Sequence, residues 1–160
     1  MIYSRSAEYA LRALVHIATL PQHEYAMART IATEADIPAH FLAKILQDLA
    51  RDGILRSIKG PGGGFRLARS AKEISLESVV EAVDGAARLN RCPLGLGECT
   101  DRVACGMHES WKPVRSRIIE YMGATSIADV AKALQVKMTV KTVQKAARPR
   151  RHAENRVPGR

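Results

Sequence analysis

No apolar run in the chain approaches the roughly 20 residues that a membrane-crossing helix needs. The first residues, MIYSRSAEYALRALVHI, hold no apolar block ending in a small-residue cleavage site, so no signal peptide is read and a cytoplasmic, reducing setting is expected. There is no internal repeat. No nucleophile–base pair or carboxylate dyad stands out, and enzymatic chemistry is not expected. The glycine-dense run Lys59-Gly60-Pro61-Gly62-Gly63-Gly64 fails as a nucleotide loop. It lacks the Gly-Lys-Ser/Thr of a phosphate loop, Phe65 stands where a dinucleotide fingerprint needs glycine, and no helix is read after it. Cysteine is scarce as well: the only three, Cys92, Cys99 and Cys105, fall in one segment, RCPLGLGECTDRVACGMH.

That concentration is informative. In a reducing setting an odd, clustered set of cysteines argues for metal or redox chemistry over structural disulfides. Six residues separate Cys92 from Cys99, five separate Cys99 from Cys105, and two separate Cys105 from His108. Thiolates and imidazole are soft to borderline ligands, and a loop carrying Gly95, Gly97 and Gly106 has the freedom to turn three of them onto one centre. Cys105 and His108, three apart, share a face if a helix has already begun there. The spacing matches neither common ferredoxin pattern, which speaks against an electron carrier.

At 160 residues the chain is one domain, or one domain with an appended arm. The formal net charge is +9, and residues 137–160, with eight Lys/Arg against one Glu, contribute +7 of it, leaving +2 for the rest. This tail has little apolar content and reads as disordered, either a solubilising terminus or a non-specific phosphate-binding arm.

Taken in order, Ser4 or Ser6 caps a first helix with Ala7, Ala10, Leu11, Leu14, Ile17 and Ala18 at three- and four-residue steps, closed by Pro21. A second helix sets Met27, Ile31, Ala32 and Ala35 on one face. Asp36-Ile37-Pro38 then turns the chain, with Pro38 at the first position of a third helix that buries Phe41, Leu42, Ile45, Leu46 and Leu49 and stops at Gly53. This is the helix-turn-helix pattern. Opposite its buried face the third helix carries His40, Lys44, Gln47 and Asp48, donors and acceptors able to reach base edges, or simply a solvated face. Ile54–Ile58 and Phe65–Ala68 have strand character around the glycine turn and make a wing. Six basic residues against one acid between Arg51 and Lys72 give that segment a net +5. Arg56, Lys59, Arg66 and Arg69 would line a hairpin able to grip phosphates or enter a minor groove.

Ser75 caps a further helix with Leu76, Val79, Val80 and Val83 inward, ending near Gly85 and packing on the first. Beyond the cysteines, Met107, Trp111, Val114, Ile118 and Tyr121 recur at heptad spacing, fit either for a helix pairing with its copy in a second subunit or for a core helix. Pro113 suggests a start near Trp111 or a kink. A short helix over Ser126–Leu134 precedes the tail. The fold class read is mainly α, a winged helix-turn-helix with a two-stranded wing and a long dimerisation helix. Its segments are residues 1–72, the DNA-binding unit; 73–136, linking helix, cysteine loop and dimerisation helix; and the tail 137–160.

Together these residues resemble the winged-helix iron–sulphur regulators of the IscR, NsrR and RirA type, the BadM/Rrf-two family. The likeness rests on Tyr9-Ala10-Leu11, on Phe41-Leu42-x-Lys44-Ile45-Leu46-x-x-Leu49, on Gly53-Ile54-Leu55 through the Gly60–Gly64 run to Leu67-Ala68, on Ile74-Ser75-Leu76, and on the cysteine loop, and it covers residues 1 to about 134. It implies a homodimer whose two helix-turn-helix units bind a pseudo-palindromic operator in double-stranded DNA. It also implies an iron–sulphur cluster, 2Fe-2S or 4Fe-4S, on Cys92, Cys99 and Cys105. The fourth ligand is implied to be His108 in some members, or an acid early in the first helix of the partner, where Glu8 stands. His40, Lys44, Gln47, Arg56, Lys59, Gly62, Gly63 and Arg66 are the expected DNA-binding residues. The expected function is a transcription regulator, acting as a repressor, that senses iron, redox or nitric oxide status through the cluster. A cluster-free thiol–disulfide switch and a structural zinc site on the three cysteines and His108 are the rivals.

Overall fold

Ser4 caps the first helix: its hydroxyl accepts from the Ala7 N–H at 3.1 Å, and α1 runs Arg5–Ala18. The structure, a computed structural model, describes residues 2–135, and the basic tail 137–160 lies outside the described residues. Helix α2 (Ala28–Glu34) buries Ile31 and Ala32, but Met27 stands outside it as the N-cap residue, 58% exposed rather than on the buried face. Its successor, α3 (Ala39–Arg51), starts one residue later than the sequence suggests. Pro38 has an extended ψ of 123° and is the N-cap, not the first helical position.

Leu42, Ile45, Leu46 and Leu49 form the buried stripe of α3. Phe41, expected with them, is 51% exposed. It sits one residue, about 100° of helix rotation, off that stripe, with its ring 6.2 Å from that of Tyr9 and 4.1 Å from that of His40. Between α2 and α3 the chain passes through Asp36 at φ 52°. Arg12 of α1 fixes this corner by donating to the carbonyls of Ala35 (2.5 Å) and Asp36 (2.8 Å), so the tight turn's carbonyls are satisfied by a side chain from the first helix.

Gly53, at φ 71°, ends α3 and delivers β1 (Leu55–Ile58), which pairs antiparallel with β2 (Gly64–Leu67) in the register Leu55–Leu67, Arg56–Arg66, Ser57–Phe65. Ala26 adds a bridge on the far side of β2: its N–H donates to the Phe65 carbonyl at 3.0 Å and its carbonyl accepts from the Phe65 N–H at 2.9 Å. The wing is therefore tied to the start of the helix-turn-helix. Gly64 is required there, since a Cβ would collide with the Ala26 carbonyl.

After the hairpin, Ser75 caps α4 (Leu76–Asp84), which buries Val79 and Val80 and packs on α1, as expected. Gly85 (φ 86°) opens a 3-10 turn, Ala86–Asn90, that leads into the cysteine loop. Helix α5 (His108–Ala124) begins three residues before Trp111 and carries Pro113 inside it, so the proline neither starts the helix nor ends it. Residues 127–135 are helical again, capped by Ser126, whose hydroxyl accepts from the Asp129 N–H at 3.2 Å.

One apolar core joins Leu14 and Ile17 of α1, Ile31 of α2, Leu42, Leu46 and Leu49 of α3, Leu55 of β1 and Val79 of α4. Ile127 and Ala131 belong to the same cluster, so the final helix closes the core of the helix-turn-helix and not a separate one. A smaller cluster, Ala7, Val80, Leu89 and Met122, locks α1, α4, the 3-10 turn and α5 together, and this positions the cysteine loop. Full burial of each large aliphatic side chain here contributes about 1.5–3 kcal/mol. Among the described residues no helix is long and apolar enough to cross a membrane.

Candidate nucleic-acid interface and cysteine cavity

The third helix turns its polar edge outward. His40, Lys44 and Gln47, at steps of four and three, are all exposed in one stripe, while Asp48 is partly covered and pairs with Arg51 at 3.0 Å. A helix that buries one stripe in the core and holds a second stripe of donors and acceptors to solvent meets the geometric requirement for major-groove contact, one that an ordinary solvated helix face also meets.

The wing divides its basic residues. Arg56 and Lys59 are exposed, Lys59 at the tip beside Gly60 (φ 97°) and Gly62 (φ 77°). Gly63 is buried, and a Cβ there would come within 2.5 Å of the Ile58 carbonyl oxygen, so its role is to close the turn. Arg66 is half-buried and turns back on the body of the protein. Its guanidinium lies 5.1 Å from the centroid of the Tyr25 ring and donates to the Gln22 carbonyl at 3.3 Å. Two arginines directly opposite on a ladder repel, and in the pair Arg56–Arg66 one is drawn into internal contacts while the other faces solvent.

The cysteine loop is built as a clasp. The Cys92 N–H donates to the Gly97 carbonyl at 2.8 Å, the Gly95 N–H to the Cys92 carbonyl at 3.0 Å, and the Cys99 N–H to the Asn90 carbonyl at 2.9 Å. Gly95 (φ 78°) and Gly97 (φ 93°) take the left-handed backbone this requires. All three cysteines are free thiols; Cys105 is exposed and the other two are partly covered. Cys92, Cys99, Cys105 and His108 line one cavity of about 350 Å³, with Leu96 and Ala104 among its other walls.

His108, at the first position of α5, is the one polar residue buried as a whole among the described residues, 2% exposed. Its Nδ1 lies 3.4 Å from Cys99 Sγ and its Nε2 lies 2.8 Å from Asp101 Oδ1. Lys112, one turn further along, donates to both oxygens of the Asp101 carboxylate at 2.8 and 2.9 Å. That ammonium, and secondly the His108 bond, hold the Asp101 carboxyl below the usual carboxylate range, and the same contact raises Lys112. Arg115 donates to the Cys99 carbonyl at 2.6 Å. Asp101, Lys112 and Arg115 were not among the residues expected from the sequence. The spacing 108, 112, 115 puts three side chains on one helical face, a signal that was available; nothing local marks Asp101.

Glu8 is elsewhere. It sits on α1 beside Arg12 (3.8 Å) and lines a different hollow, an apolar groove of about 730 Å³ that includes Ile2, Leu11, Val114, Tyr121 and Leu134. Val114 and Tyr121, two members of the heptad seam, are among the most exposed large apolar side chains described. Among the described residues, no three His, Cys, Asp or Glu side chains gather tightly enough to hold a single metal ion.

A helix-turn-helix followed at once by a basic two-stranded hairpin defines a winged-helix DNA-binding protein. Within that class the chain belongs to the Rrf2 family of iron-dependent transcriptional regulators, whose profile matches residues 3–133. A relative from Aquifex aeolicus (strain VF5), provisionally named an HTH-type transcriptional regulator, is 33% identical over 132 residues, covering 81% of this chain and 91% of that protein. The HTH-type transcriptional regulator IscR of Vibrio campbellii is 27% identical, covering 82% of this chain and 78% of that protein. The solved structure of CymR, the global cysteine regulator of B. subtilis, superposes with a TM-score of 0.69 at 20% identity over 81% of this chain and 95% of that one. That last likeness establishes the fold alone. The protein is a DNA-binding transcription regulator and not an enzyme, as the sequence led one to expect.

Proposed function

We propose that this regulator acts in the cytoplasm as a homodimeric repressor whose grip on its operator is set by an iron–sulphur cluster in the cysteine cavity. The observation that carries the reading is the lining of one cavity by three free thiols and one buried imidazole. A cluster is several atoms across, so its ligands need only ring a hollow of this kind, whereas a structural zinc site needs its donors gathered on one atom. The donor set fits: Cys92, Cys99 and Cys105 would supply thiolates and His108 a nitrogen. When bound, such a cluster supplies reversible electron uptake and sensitivity to oxidation or loss. Glu8, on the wall of the apolar groove, could serve a cluster only across a dimer contact.

Residues 1–72 are read as the DNA-binding segment and 73–136 as the linking, sensing and dimerising segment, a division of role within one core. His40, Lys44 and Gln47 would address base edges, and Arg56 and Lys59 the phosphates. The exposed seam of α5 beside the groove suits pairing with a second copy, which would set two recognition helices about 34 Å apart. Rearrangement of residues 90–108 would reach that spacing through α5 and α1.

The test is anaerobic purification with iron and sulphide analysis, visible spectroscopy, sedimentation, and operator binding with and without the cluster. Stoichiometric iron and sulphide, a dimer, and cluster-dependent binding are expected. Iron-free, colourless protein that still responds to peroxide through its thiols would replace this reading with the thiol switch.

A further inference from the structure

We propose that Asp101 is a positioning residue for the sensing site: its carboxylate holds the His108 imidazole with the proton on Nε2, leaving Nδ1 unprotonated and turned into the cysteine cavity, while Lys112 holds the carboxylate. The proposal rests on the reading of His108 as the non-cysteine ligand.

Three observations carry it. First, His108 is buried to 2% exposure, and a buried imidazole needs partners for both ring nitrogens. It has one on each side: Cys99 Sγ at 3.4 Å from Nδ1 and Asp101 Oδ1 at 2.8 Å from Nε2. Secondly, an ionised carboxylate can only accept, so the proton in that bond belongs to Nε2, and in the neutral ring that ligation requires the lone pair is left on Nδ1, the nitrogen on the thiol side. Thirdly, the carboxylate is not left to swing. Lys112 binds both of its oxygens, and Lys112 follows His108 by one helical turn, so one face of α5 carries both the imidazole and the group that holds its orienting acid. Arg115, a further turn on, fixes the backbone of the same loop at the Cys99 carbonyl.

A histidine that ligates through one nitrogen while the other donates to a carboxylate has its tautomer and ring plane fixed and its ligand strength raised. Loss of such an outer partner costs about 10–100-fold in metal affinity or activity. Asp101 lies seven residues before His108, at the start of a short 3-10 turn, Asp101–Val103, and only the folding of that segment onto α5 brings them together.

The test uses full-length protein in two states. In the cluster-free protein, long-range nitrogen–proton NMR of the neutral His108 ring, recorded at a pH where titration shows it deprotonated, should report the Nε2–H tautomer, and Asp101→Ala should shift it toward a mixture of tautomers. In protein loaded anaerobically, Asp101→Ala should release iron to a chelator about 10–100-fold faster than wild type. His108→Ala should do the same, and the double variant should be no faster than His108→Ala. Should Asp101→Ala fold poorly by circular dichroism, Lys112→Met keeps the acid and removes its anchor, and should move both readouts in the same direction. An unchanged tautomer and unchanged release rate in these variants, with His108→Ala still releasing iron quickly, would overturn the role of Asp101 and leave the cluster reading intact. Wild-type protein without iron and sulphide would defeat the cluster reading instead, and the tautomer signal would still decide the clamp.

Discussion

Ser4 and Asp84, eighty residues apart, join the start of the first helix to the end of the fourth. The Ser4 N–H donates to Asp84 Oδ2 at 2.7 Å, and the Ser4 hydroxyl donates to the other carboxylate oxygen. The Asp84 side chain is only 6% exposed and also faces Arg88 Nε at 3.7 Å, in the 3-10 turn that enters the cysteine loop. One covered carboxylate thus touches the helix that braces the helix-turn-helix and the turn that leads to Cys92.

Removal of that carboxylate should be felt in stability. Asp84→Ala leaves the Ser4 N–H without its acceptor in a partly buried place, at a cost of about 1–3 kcal/mol. Urea denaturation of the cluster-free protein should show the midpoint falling by the corresponding amount, and an unshifted midpoint would refute the link.

The recognition helix and the wing tip should fail in different ways. Lys44→Ala and Gln47→Ala should each cost about 1–3 kcal/mol at particular operator positions and relax the preference there. Lys59→Ala should weaken binding to all sequences alike and reduce the slope of log K against log salt by about 1. Binding to an operator series over a range of salt separates the two. The assignment falls if Lys59→Ala alters base preference.

Arg66 should behave as a brace, not as a phosphate contact. Its guanidinium is occupied by the Tyr25 ring and the Gln22 carbonyl. Arg66→Ala should therefore speed amide exchange in Gly64–Leu67 and lower the thermal midpoint even without DNA, which Lys59→Ala should not. Equal exchange rates in the two variants would contradict this.

The cap on the final helix gives a pH dependence. The Ser126 hydroxyl and N–H both donate to the Asp129 carboxylate, which lowers its pKa below the ordinary 3.8. A carboxyl whose folded pKa is depressed contributes stability that is fully present above its ordinary value and lost as pH falls through the folded one. Asp129→Asn should thus lower the thermal midpoint at neutral pH, and the difference from wild type should vanish in strong acid. A difference that persisted unchanged into strong acid would show that the charge is irrelevant.

Much of the fold was legible because it rests on local rules. The caps at Ser4 and Ser75, the stop at Gly53, the glycine turn of the wing and the stripe Leu42, Ile45, Leu46 and Leu49 all follow from helical period and backbone freedom. Phe41 and Met27 were misjudged by the same rules. Phe41 is apolar and sits beside its helix's inward stripe, while Met27 falls just outside its helix as the N-cap residue, and whether such a residue is covered depends on what packs there, not on spacing. Of the two readings of Pro113, a start near Trp111 gives way to a start at His108, since a helix with tertiary contacts tolerates a proline that an isolated helix would not.

The cysteine loop marks the boundary most clearly. The order of residues determined the ligand types, the glycines that let the loop close, and the face shared by His108, Lys112 and Arg115, since these depend only on chemistry and helical repeat. Only the tertiary structure decided that Asp101 meets His108, that Arg66 turns inward while Arg56 does not, and that Glu8 lines a groove away from the thiols. Those contacts join segments whose separation along the chain carries no periodic signal, and they form because the packing of α1, α4 and α5 around Ala7, Val80, Leu89 and Met122 fixes where each segment lies.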